Sequence, residues 1–277
     1  EILRCLVGSE MCIRDRFNIC LAGHIIRIFP QYPYIKEYCR DYICEGDARV
    51  AISTDEEDLR SEMQHAAGQE RFGVIPHQEF SAPYLETLAV YRKIADYLTD
   101  FDTLLFHGSA VAMDGEGYLF TAKSGTGKST HTRLWRQVFK DRVVMVNDDK
   151  PLLRITDTGV WVCGTPWDGK HRLNSNIAVP LKAICILTRS RENQISRITY
   201  QAALPMLIQQ SYRPSDPKKL AKVLSLVDLV GKNIKLYRLE CNMDPSAAET
   251  AYYGMTPSSA LNQQPAVLQN RNQQKGI

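Results

Sequence analysis

The residues most able to do chemistry lie in four short stretches between positions 106 and 174. The first is Ser124-Gly125-Thr126-Gly127-Lys128-Ser129-Thr130, after an apolar run and before a helical one. Glycines let backbone N–H groups turn inward around an anion, and a helix N-terminus adds its positive dipole end. In such a loop Lys128 reaches the β- and γ-phosphates of a nucleotide and the Ser129 hydroxyl ligates Mg²⁺. Ala122 stands where the full G-x-x-x-x-G-K-[ST] pattern has its first glycine.

The second is Asn147-Asp148-Asp149, which ends the apolar run Val143 to Val146. Two carboxylates beside a phosphate loop can divide labour, one holding Mg²⁺ and the other accepting the proton of an attacking hydroxyl. Their mutual repulsion is expected to raise one pKa towards the range of a base. Third, Phe106-His107-Gly108-Ser109 puts His107 where it can touch a transferring phosphate or orient an aspartate. Last, Cys163 to Asn174 crowds Lys170, His171 and Arg172 into a Gly- and Pro-broken loop, with Arg172 a candidate to clamp an anionic acceptor or transition-state charge. Arg213 is a weaker basic candidate. His24, His65 and His77 lack ligand spacing, and His131 is expected on the surface or near the cap of the loop helix.

These stretches need elements to hold them. Ile19 to Ile28 and Ala48 to Ser53 read as strands, and Ala82 to Leu98 as a helix with Leu85, Leu88, Tyr91 and Ile94 on one face. Leu104 to Phe106, Ala110 to Met113 and Tyr118 to Ala122 read as strands, the last two joined at Asp114-Gly-Glu-Gly117. A helix is expected over Lys128 to Phe139, a strand over Arg142 to Val146 and a hairpin at Asp157-Thr-Gly159. Ala183 to Leu187 and Gln194 to Thr199 read as further strands; Ala202 to Gln210, Pro217 to Leu229 and Pro245 to Tyr253 read as helices. The expected organisation is a small α+β domain over 17–100, an α/β phosphate-loop domain over 101–255 and a disordered, Gln- and Asn-rich tail over 256–277. Residues 1–16 resemble a translated sequencing adapter and are set aside as a scar, so the natural start is expected to be missing.

Composition narrows the class. The chain has 277 residues, 34 Lys and Arg against 31 Asp and Glu, and 44% hydrophobic residues. Its near-neutral charge offers no basic footprint for nucleic acid, and its apolar runs are strand-sized, too short for a membrane span. The six cysteines beyond residue 16 show no zinc spacing, so they are expected as reduced thiols in a cytoplasmic protein.

Taken together, His107-Gly108, the hairpin, Ser124 to Thr130 and Asn147-Asp-Asp149 resemble the C-terminal catalytic domain of HPr kinase/phosphorylase and its relatives, whose fold is similar to the nucleotide domain of phosphoenolpyruvate carboxykinase. The resemblance covers about Leu104 to Leu187. It implies ATP and Mg²⁺ as cofactors, nucleotide bound by the loop with Lys128 and Ser129, metal held by Ser129, Asp148 and Asp149, and transfer to a serine-type hydroxyl on a protein, a peptide or free serine. The signature that follows the acidic pair in HPr kinase is absent, Gly164 to Asn174 standing in its place, and residues 17–100 do not resemble that enzyme's N-terminal domain. The alternative from another class is a non-catalytic ATP-binding accessory module of a peptide-modification or sensing system. The acceptor and the assembly state, a homo-oligomer included, are left open by the sequence.

Overall fold

The computed structural model describes residues 16–71, 80–169 and 171–256. The scar expected at 1–16 lies outside these except for Arg16, and the tail beyond Thr256, His77 and Lys170 lie outside them too.

The first sheet has three strands: β1 (Phe17–Leu21), β2 (His24–Phe29) and β3 (Val50–Ser53), with β2 antiparallel to β1 and parallel to β3. The stretch expected as a single strand from Ile19 to Ile28 is thus a hairpin. Ala22 and Gly23 take φ of 49° and 78°, the pair of positive angles that a tight two-residue turn demands, and the unbroken apolar alternation on either side hid the reversal. Helices α1 (Tyr34–Tyr38), α2 (Glu56–Arg71) and α3 (Ala82–Thr99) accompany this sheet. Of the face expected on α3, Leu85, Tyr91 and Ile94 are buried and Leu88 is half-buried, with Leu98 also buried.

The second sheet has nine strands: β4 (Thr103–Leu105), β5 (Ser109–Met113), β6 (Glu116–Thr121), β7 (Val143–Asn147), β8 (Leu152–Thr156), β9 (Gly159–Cys163), β10 (Ala178–Arg189), β11 (Gln194–Arg197) and β12 (Lys235–Cys241). It follows the path β4-β8-β9-β10-β6-β5-β7, with β12 and then β11 added on the far side of β10. The long β10 joins two ladders. Its residues 178–180 pair antiparallel with β9, and from Leu181 onward it lies parallel to β6, with β12 parallel to it on the other side. Helices α4 (Lys128–Phe139), α5 (Tyr200–Gln210), α6 (Pro217–Asn233) and α7 (Ser246–Met255) cover the faces.

Strand alternation sorts the core into two layers. Val111, Tyr118, Phe120, Ala183 and Cys185 face α4 and α7, packing with Trp135 and Tyr252. Ala110, Ala112, Leu119, Ile184 and Ile186 face the opposite way, onto Leu207 of α5 and Val223, Leu226 and Val230 of α6. A third cluster joins Ile19, Ile26 and Ile28 of the first sheet and Tyr91 and Ile94 of α3 to Leu152, Cys163 and Trp167. The boundary expected near Thr99 to Asp102 falls at the end of α3, and packing runs across it.

The cysteines of the described residues are all unpaired thiols, with Cys39, Cys163 and Cys185 buried. Among those residues no helix is long and apolar enough to cross a membrane.

Candidate functional site

Topology gathers the chemistry at one edge. Strand β5 is antiparallel to both β6 and β7, so these two run the same way and end together. The 122–127 loop leaves the end of β6, Asp148 and Asp149 follow the end of β7, and His107 precedes the start of β5 at that same edge. Arg189 ends β10, the parallel neighbour of β6.

Gly127 opens α4 with φ 123° and Gly125 has φ 74°, angles that a side chain would strain. A Cβ at either position would meet no close obstruction, so backbone angle and not crowding calls for glycine there. Ser124 and Ser129 are exposed, whereas Lys128 is buried and donates from Nζ to the Ala122 carbonyl at 3.2 Å. Burial pushes its ammonium below the usual lysine range, while Asp149 and Asp148 pull the other way. The lysine and both acids therefore share one electrostatic neighbourhood. From outside, the Arg189 guanidinium donates to the carbonyls of Thr126, at 3.2 Å, and Gly125.

The turn carrying the acids is built by Asn147. Its fully buried amide donates to the carbonyls of Thr165 and Trp167 at 2.9 and 3.2 Å, and its Oδ1 accepts from the backbone N–H groups of Asp149 and Lys150 at 2.8 and 2.6 Å. Asp148 is buried, and its Oδ1 accepts from the Ser109 hydroxyl at 2.7 Å. Ser109 Oγ lies 2.9 Å from Thr132 Oγ1; because Ser109 gives its own proton to Asp148, Thr132 is the donor there. The Asp148 carboxylate is thereby tied to the first turns of α4.

Asp149 sits 2.7 Å from Lys150 Nζ and 3.3 Å from His107 Nε2. Burial by itself would raise its carboxyl, but Lys150 and then His107 outweigh it and hold the group well below the ordinary carboxylate range. The expectation that repulsion within the pair lifts one of these acids is thus corrected at Asp149, because the Lys150 ammonium and the His107 ring lie against it.

The carboxyl raised above its ordinary value is Asp168, by burial in the first place. Sequence reading passed over it in favour of the basic residues that follow. Arg172 stands on the outer side of this loop, with Nη1 3.3 Å from Asp168 Oδ1 and its guanidinium 4.0 Å from the centre of the Tyr38 ring. His171 is exposed. Tyr42 donates to Asn174 Oδ1 at 2.9 Å and Tyr91 donates to the Lys150 carbonyl at 2.7 Å. Trp167 stacks on Tyr91 at 4.1 Å and donates to the Thr87 carbonyl. The N-terminal elements therefore hold both the acidic turn and the loop over it, a role with no local motif to announce it.

His131 is not at the surface or the cap. It is buried against Phe120, with Nε2 accepting from the Trp135 indole at 3.0 Å, because the first turn of α4 lies flat on β6. Arg213 lines an apolar cleft between α5 and α6 with Ile208, Leu220 and Val227.

An α/β protein with a glycine loop, a buried lysine and an acidic turn at one sheet edge is the class that fold and site define. Residues 82–243 match the family described as SynChlorMet cassette protein ScmC, and the chain belongs to that family. Among solved structures, the HPr(Ser) kinase/phosphatase from Coxiella burnetii is similar at 9% identity and a TM-score of 0.34, over 57% of this chain and 96% of that one. No curated protein matches the chain.

Proposed function

We propose that the chain is an ATP-dependent kinase that transfers the γ-phosphate to a serine-type hydroxyl on a protein, a peptide or free serine, the 101–255 region carrying the site and the 17–100 region bracing it. The observation that carries this reading is that the glycine loop bearing Lys128 leaves the end of β6 at the same sheet edge where Asp148 and Asp149 follow the end of β7. A protein that only holds nucleotide has no need of two carboxylates beside the loop lysine. Backbone N–H groups of 124–130 cradle the phosphates, Lys128 faces the transferred group, and His107 keeps Asp149 oriented and ionised.

The donor set fits Mg²⁺: the Asp148 and Asp149 carboxylates and the exposed Ser129 hydroxyl are hard oxygen ligands, and nucleotide phosphate and water complete such a shell. The ion, when bound, neutralises charge on the phosphates. Arg189 holds the loop tip from outside, and Arg172 supplies positive charge on the acceptor side.

The description of the family as a cassette protein favours one second reading, an accessory module that binds ATP without transferring phosphate. Incubation with γ-labelled ATP and Mg²⁺, offering free serine, a serine peptide and a lysate, separates the two. Label is expected on one acceptor and is expected to be lost in Lys128→Ala, together with most ATP affinity. ATP binding with no labelled acceptor selects the accessory module.

A further inference from the structure

The terminal torsion of a carboxylate is broad, so a reaction that uses one of its oxygens gains when a neighbour grips the other. Asp148 is held in this way. Its Oδ1 accepts from the Ser109 hydroxyl at 2.7 Å. Its Oδ2 has no hydrogen-bond partner among the described residues and is not sealed from water, the residue keeping 4% of its surface exposed. Gly169 leaves that oxygen room: a Cβ there would stand 3.3 Å from it.

The grip on Oδ1 has a second link. Ser109 opens β5, which pairs with the loop strand β6 on one side and the acid strand β7 on the other, and it is fully buried. An ionised carboxylate only accepts, so Ser109 donates to Asp148 and accepts from Thr132, whose Oγ1 is 2.9 Å away. Thr132 is buried on α4, four residues beyond Lys128 and so one turn along the same face. Its other acceptors, the carbonyls of Ser129 and Lys128, are farther off, at 3.3 and 3.5 Å. A one-way chain of hydroxyls therefore runs from the helix that carries the loop lysine, through the first residue of β5, to the first acid after β7. Asp149 is held differently, by Lys150 and His107.

The structure assigns Ser109 as a positioning residue of the phosphoryl transfer, with Thr132 acting through it. The assignment rests on the kinase reading and deepens it, because it says which oxygen of Asp148 works and what keeps it in register with Lys128. Ser109 acts through Asp148: by occupying Oδ1 it leaves Oδ2 for the metal or for the transferred proton. Thr132 ties the same carboxylate to the turn of α4 that follows the lysine, so the acid and the loop move as one piece. The loop itself is held by other bonds, from Lys128 Nζ to the Ala122 carbonyl and from Arg189 to the Thr126 carbonyl. Loss of the Ser109 hydroxyl therefore acts on the rate and spares nucleotide binding.

The test uses the full chain with labelled ATP, Mg²⁺ and the acceptor that the wild type labels. In Ser109→Ala, kcat is expected to fall by about 10- to 100-fold, as for loss of a group that orients a reacting one, with ATP affinity within about 2-fold of wild type. Thr132→Val, which keeps the shape and loses the hydroxyl, should lower kcat by less, and Thr132→Ser, which keeps the hydroxyl, should restore it. The double variant Ser109→Ala/Thr132→Val should turn over no more slowly than Ser109→Ala, since Thr132 acts through the serine. Turnover near wild type in Ser109→Ala, a loss confined to ATP affinity, or single losses that multiply in the double variant overturns the assignment. If Ser109→Ala does not fold, the two Thr132 variants decide, and equal turnover in both overturns it. A wild type that binds ATP and labels no acceptor brings down the kinase reading and this assignment with it; an active wild type with an undiminished Ser109→Ala brings down the assignment alone.

Discussion

His131 shows how far a single side chain can depart from what its neighbours in sequence suggest. Three residues beyond the loop lysine, it serves the core: it accepts from Trp135 and is pushed down to about 3 by burial. Below pH 6.5 the unfolded chain takes a proton at this position and the folded chain does not. Stability is therefore fully present above about pH 6.5 and is lost as pH falls towards 3, with a slope of up to about 1.4 kcal/mol per pH unit from this group. In His131→Gln, whose amide oxygen can still accept from the indole, urea denaturation between pH 6 and 4 should show a shallower slope; an unchanged slope would mean that this histidine is not buried neutral. The same contrast between sequence and surroundings holds at the site. Lys128, Asp148 and Asp149 were legible from residue type and order. Asp168 was not, because its carboxyl is raised by burial and its partner Asn174 is held by Tyr42, which sits far from both in the chain.

Elements were legible where one local rule governed them. The Asp114-Gly115 turn, with φ of 53° and 81°, and the apolar face of α3 follow from turn chemistry and helical period. Strand β12 went unread, as did α2, whose first turn holds Glu56, Glu57 and Asp58 and no apolar face to announce it. Between β9 and β10, the element that matters is an irregular loop with a glycine at its root. A Cβ on Gly164 would run into the Ser175 carbonyl and stand 2.9 Å from the Val146 carbonyl. All of the closest obstruction is backbone, which cannot rotate away as a side-chain tip can. Gly164→Ala should cost about 1–3 kcal/mol in chemical denaturation and loosen the loop over the acids, since Ser175 is also bonded to Val146. A substitution without measurable cost would show that the two backbones are free to separate.

At the scale of the molecule, the first sheet and α3 do more than precede the site. Tyr91, Thr87, Tyr42 and Tyr38 all reach residues between Lys150 and Asn174. The ScmC match begins at Ala82, the first residue of α3, so the matched region includes the helix on which Trp167 rests. A chain begun at Phe101 would expose Leu152, Cys163 and Trp167 to water. Full burial of a side chain of this kind is worth about 1.5–3 kcal/mol, a large fraction of a domain's net stability. Such a fragment should lack a cooperative thermal transition in calorimetry, whereas a chain begun at Phe17 should show one; sharp unfolding of the fragment would establish that residues 101–256 stand alone.

Strand β10 also bears on how the chain reaches this form. Its partners β6 and β12 lie far from it in sequence, one on each side: Ala183 is opposite Tyr118 in one ladder and Lys235 in the other. Neither pairing can be nucleated by a short turn, and loop closure over such spans is slow. During synthesis the β6 ladder waits for β10 to emerge, and β10 keeps an unpaired, apolar edge until Cys241 has been made. The glycine loop at the end of β6 thus gains its backing strand late, and a nascent chain paused before residue 235 presents that edge to whatever chaperone, or neighbouring chain, reaches it first.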